Sequence, residues 1–154
     1  MKINNILLLL LVIAASSQLI FGQKENYATL KKMHPDQSAV VLNKEEKIVV
    51  KYRKNKLKIN IKVTEDMMYM NKNARAYSSE SVYFGAFRSI KKIKAHSFIP
   101  KKGKPDKFRK HKVVRFETSN VNSSGIFYDD QQEIAFEYEG LMQGAKTHLS
   151  YVES

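Results

Sequence analysis

There is no cysteine among the 154 residues, and that absence removes disulfides, thiolate zinc sites, cysteine nucleophiles and lipid attachment through a cysteine in one step. The fold must be held by its core alone. A Gly-x-Ser-x-Gly elbow and a phosphate-cradling glycine loop are also missing, so serine and histidine are present without the motifs that would organise them for hydrolysis. No long helical period, internal repeat or low-complexity linker is visible. These absences set three expectations: no catalytic residue, no cofactor-binding residue and no metal-ligand set, hence a chain that is not an enzyme by itself.

What is there begins with an export signal. Met1 to Asn5 carries one lysine, Ile6 to Ala15 is unbrokenly apolar, and Ser16-Ser17 opens a small, polar stretch. The apolar run is about half of the ~20 residues a membrane-crossing helix needs. Cleavage after Ser17 satisfies the small-x-small pattern through Ala15, and cleavage after Gly22 is the alternative. The expected organisation is a signal peptide over 1–22 and a single β-sandwich domain over 23–154, with no transmembrane anchor after processing. The expected location is periplasmic, outer-envelope or secreted.

The formal net charge is +12, and loss of residues 1–22 removes one lysine and no acid, leaving +11. Such an excess favours nucleic acid, lipopolysaccharide or membrane surfaces as partners. The competing reading is that lysines on alternate strand positions solvate a wet face and discourage edge pairing.

After Glu25 to Met33, where one or two helical turns fit, Pro35 biases His34 away from helical geometry and the period becomes two. Ala39 to Leu42 and Ile48 to Tyr52 read as separate short strands around a charged Asn43 to Lys47 turn. Leu57, Ile59, Ile61 and Val63 alternate with Lys58, Asn60 and Lys62. Met67 through Phe87 keeps no clean period, with a turn signal at Asn71-Lys72-Asn73. Ile93, Ala95, Ser97 and Ile99 form a strand that Pro100 should end. Lys101 to Lys112 reads as a turn built on Gly103 and Pro105, with Val113 to Thr118 as the returning strand.

Ile126-Phe127-Tyr128 and an Asp129-Asp130 turn follow. Ile134, Phe136 and Tyr138 then alternate, Gly140 to Gly144 turns, and Leu149 and Tyr151 resume the alternation. The pattern predicts an all-β fold, an immunoglobulin-like antiparallel β-sandwich. Alternation up to Ser154 raises the expectation of a domain truncated at its C-terminal end, whose last strand would otherwise be a sheet edge.

His34, His96, His111 and His148 are isolated in sequence, which favours surface histidines over ligands, although convergence in space is not excluded by spacing. His34-Pro35-Asp36 resembles the tripeptide of J-domain co-chaperones, but the preceding helix would fall on the export signal and a strand-like run follows. Asp129, Asp130 and Glu133 lack the alternation and glycine of calcium loops, so a hairpin turn is favoured. Asn122-Ser123-Ser124 matches a glycosylation acceptor over three residues. The clearest candidate contact is basic: Lys101, Lys102, Lys104, Lys107, Arg109, Lys110 and Lys112 around one turn, with Phe108 among them, suited to an anionic polymer without sequence-specific nucleic-acid recognition.

A family resemblance rests on the order of several short motifs. These are His34-Pro35-Asp36, Ser38 to Leu42, Leu57 to Val63, Ile93-Lys94-Ala95 leading to Pro100, Ile126 to Asp130, then Gly140-Leu141, Gly144-Ala145 and Tyr151. Together they are similar to the N-terminal β-sandwich domain of unknown function that precedes a transglutaminase-like core in exported bacterial proteins. In that family a papain-like domain with a Cys/His/Asp triad follows. No family catalytic residue maps onto this chain. The resemblance therefore implies a non-catalytic accessory or scaffold module partnered by a downstream transglutaminase-like domain. The alternative is a free-standing secreted module that binds an anionic glycan, lipopolysaccharide or nucleic acid through the basic hairpin.

Overall fold

Residues 26–85, 87–121 and 131–154 are described by a computed structural model of the chain. The export signal, the Asn122 acceptor, Ile126 to Tyr128 and the Asp129-Asp130 turn lie outside the described residues.

Helix α1 (Tyr27–Met33) starts at Asn26, whose side chain accepts a hydrogen bond from the Thr29 N–H at 2.9 Å. It stops at His34, ahead of Pro35. Strands β1 (Ala39–Arg53) and β2 (Lys56–Tyr69) form a long antiparallel hairpin. The two short strands expected over 39–52 are thus one strand. A register shift between Val41 and Asn43 moves β1 from one parity to the other, so its two apolar runs look unrelated in sequence. The charged stretch between them stays in the ladder, with Lys44 Nζ 3.2 Å from Glu65 Oε2.

A 3-10 turn (Lys72–Tyr77), capped by the Asn71 side chain, leads into β3 (Ser79–Phe84). Strands β4 (Ile90–Lys101) and β5 (Lys104–Lys112) pair around Gly103, whose φ of 71° suits glycine. This corrects the hairpin expected from sequence, because the returning strand is Lys104–Lys112 itself. Pro100 also lies within β4, next to an irregularity in its pairing with β5. Val113 to Phe116 carries the chain to the second sheet, where β6 (Glu117–Asn120) begins. An edge strand that is polar on both faces leaves no alternation of hydrophobicity to read.

Strands β7 (Gln132–Glu137) and β8 (Lys146–Glu153) are the last of the described strands. The fold is an all-β antiparallel sandwich: a five-stranded sheet in the order β1-β2-β8-β4-β5 and a three-stranded sheet in the order β3-β7-β6. β8 lies in the middle of the larger sheet, paired with β2 on one side and β4 on the other. Between the sheets, Tyr69, Val82, Ala95, Val113, Phe136, Tyr138, Leu141 and Ala145 form the main core. Phe136 meets Tyr138 edge-on with centroids 5.3 Å apart.

The polar groups taken into this core are satisfied. Ser97 Oγ donates to the Glu139 carbonyl at 2.7 Å, and the Tyr69 hydroxyl meets Thr147 Oγ1 at 3.4 Å. Burial pushes the Tyr69 and Tyr138 phenols above their ordinary range, which keeps both neutral. A satellite core of Leu30, Met68 and Met70 fastens α1 through Tyr27, Val40 and Leu42.

Candidate functional site

Register decides what the wet face of the five-stranded sheet presents. Ala95, Leu149 and Tyr151 pack into the core, so the intervening positions of β4 and β8 face outward. Opposed positions across neighbouring strands then form two rows. One runs Asn43, Asp66, His148, His96, Lys112, and the next runs Lys146, Phe98, Lys110, ending at Met68, which is buried under α1. Lys94 lies one step further along, opposite Ser150.

The aromatic rings hold the lysines in place. Lys110 Nζ is 5.7 Å from the Phe98 centroid and Lys146 Nζ is 5.2 Å from that of Phe108. In the first row Asn43 Nδ2 donates to Asp66 Oδ2 at 3.3 Å, and Asp66 Oδ1 is 2.7 Å from His148 Nδ1. The His148 ring is 6.1 Å from that of His96. Burial, then the charges of Lys110, His148, Lys112 and Lys94, lower the affinity of His96 for a proton. Chemically this is a cationic, partly aromatic platform with a histidine that gains charge only in acid.

The seven basic residues singled out by sequence do not act as one cluster. Lys110 and Lys112 belong to the platform. Lys101, Lys102 and Lys104 are exposed around the β4–β5 turn, and Lys107 is exposed on β5. Arg109 sits opposite Ile99 on the other face, where it borders a pocket of about 280 Å³ with Pro100, Lys101 and Lys102. Sequence reasoning did not single out Lys94, Lys146 or Asp66, and it weighed His96 and His148 only as isolated histidines. Their shared strand parity was legible, but which strands are neighbours was not.

A second feature is an open cleft of about 670 Å³ between β3, β7 and the Val113 to Glu117 crossing. Its wall carries Glu80, Glu117, Glu137 and Glu139, with Arg115 Nε 2.7 Å from Glu117 Oε1 and His111 Nδ1 3.5 Å from Glu139 Oε2. Burial raises the Glu80 pKa, offset in part by the Ser81 N–H. Among the described residues no group of three or more His, Asp or Glu is arranged to hold a metal ion. Nor is any described helix long and apolar enough to cross a membrane.

No family model matches the chain, and no curated protein matches it. Among solved structures, a Parabacteroides distasonis protein described as a "putative protease" is similar, with a TM-score of 0.49 and 14% identity over 62% of this chain. The chain spans 19% of that protein's length.

Proposed function

We propose that this chain is a non-catalytic, exported β-sandwich module whose working surface is the outer face of the five-stranded sheet, where it holds an anionic polymer such as an acidic glycan or lipopolysaccharide. The observation that carries the reading is that Lys94, Lys110, Lys112 and Lys146 from three strands share one sheet face, with Lys110 over Phe98 and Lys146 over Phe108. Lysines spread over a rigid sheet neutralise a flexible polyanion at several points, and release of its counterions makes binding fall with salt. The Phe98 and Phe108 rings add contact area without demanding a sequence. Titration of the chain with a fluorescent anionic polysaccharide tests this: affinity decreases log-linearly with salt, and salt-independent or absent binding contradicts it.

The second reading is an accessory domain ahead of a transglutaminase-like core. It is favoured by the ordered motifs of the sequence together with the sandwich architecture, the Ile126 to Asp130 motif lying outside the described residues. In that setting the platform presents the catalytic part to a polyanionic envelope. A reading frame that continues past Ser154 into a Cys, His and Asp-containing core supports it, and an immediate stop contradicts it.

A further inference from the structure

The β1–β2 hairpin outruns the sheet that carries it. Among the described residues β2 meets β8 only from Ile61 to Met68 and β1 pairs with β2 alone, so residues 47–60 form a two-stranded ribbon. The directly opposed pairs Ile48 and Ile61, Val50 and Ile59, and Tyr52 and Leu57 place six apolar side chains on one face of that ribbon. Five of them are 60%, 59%, 72%, 62% and 47% exposed (Ile48, Val50, Tyr52, Leu57, Ile59). The strip prolongs the inner face of the larger sheet, since Val63, next on the same parity, lies opposite Tyr151 of the core. Among the described residues nothing covers it.

The other face of the ribbon is committed to water. Lys47 opposes Lys62, Lys51 opposes Lys58, and Arg53 opposes Lys56. These cations point away from the apolar strip, so a bilayer laid over the strip would not meet them with its headgroups. At the base of the strip the acids are already paired, Glu153 with Arg88 at 2.6 Å and Glu65 with Lys44 at 3.2 Å.

We infer that two copies of the chain associate through this strip as a two-fold dimer, with the hairpins face to face. A two-fold contact is self-complementary, so each strip covers the other. The exposed part of the strip amounts to on the order of 600 Å² per copy, so the pair would bury about 1,200 Å², at the lower limit of stable interfaces. The +12 charge of each copy repels its mate only weakly at physiological salt, where screening acts over about 8 Å.

The test is sedimentation equilibrium on the full chain carried through export and purified, at physiological salt and concentrations up to about 100 μM, a range that resolves micromolar association. The expected result is a reversible dimer, weakened at least about tenfold by Val50→Lys with Ile59→Lys, since each puts an unpaired charge into the contact. Both positions are solvent-exposed, and an unchanged circular dichroism melt confirms that the variant folds. A monomeric wild-type chain, or a dimer indifferent to Val50→Lys with Ile59→Lys, overturns the inference. So does a wild-type chain that stays monomeric and instead binds anionic phosphatidylglycerol vesicles through the strip.

Discussion

At the residue scale, the alternation of Ile134, Phe136 and Tyr138 was enough to identify core positions, and all three are buried. Phe136 contacts both Phe116 and Tyr138. Phe136→Ala should therefore cost about 3–5 kcal/mol by loss of burial and creation of a cavity, read as a large fall in the denaturation midpoint. Glu80 carries the opposite expectation. Its folded pKa is raised by burial, so the stability linked to its protonated form is fully present below the unfolded value and is lost as pH rises through the folded one. Glu80→Gln should then raise the melting temperature at pH 7, with the gain vanishing at about pH 4 and below, where the wild-type carboxyl is already neutral. By contrast, the Asp66, His148 and His96 row was not legible. These residues are up to 82 positions apart, and their meeting depends on strand order.

At the element scale, the sequence showed where period-two stretches lie but not how they join. The β1 shift after Val41 concealed one strand as two, and the doubly polar edge strand β5 was taken for a turn because neither of its faces is apolar. The β1–β2 turn shows a remaining local conflict: Lys54 and Asn55 both adopt positive φ, 52° and 56°. That geometry suits Asn-Gly, whereas a lysine there is strained. Replacing Lys54 and Asn55 together by Asn and Gly should stabilise the hairpin by about 1 kcal/mol, seen as a higher melting temperature with the same circular dichroism spectrum. Helix α1 depends on its satellite core in the same way. Leu30→Ala should cost about 2–3 kcal/mol, and faster amide exchange should appear in α1 and at Met68 to Met70 before it does in β8.

At the scale of the whole molecule, sandwich architecture was legible because short alternating segments without a helical period have few other ways to bury one face each. Strand order was not, since β8 enters the middle of a sheet whose other members precede it by up to a hundred residues. That late insertion turns a generally basic chain into one with a defined platform, because β8 contributes Lys146 and His148 beside β4 and β5. Charge alone would not distinguish this face from the lysine-rich hairpin turn. Geometry separates them, as Lys110 and Lys146 lie over the rings of Phe98 and Phe108 while Lys101, Lys102 and Lys104 stand exposed at a turn.

The most direct measurement is a salt titration of binding to an anionic polysaccharide, comparing the wild-type chain with two triple variants. The account predicts that Lys110→Ala, Lys112→Ala and Lys146→Ala together flatten the slope of log K against log salt by about three, roughly one for each lysine removed. Lys101→Ala, Lys102→Ala and Lys104→Ala together should leave most of the slope intact. Equal loss in both variants, or a larger loss at the turn, would contradict the assignment of the sheet face as the binding surface.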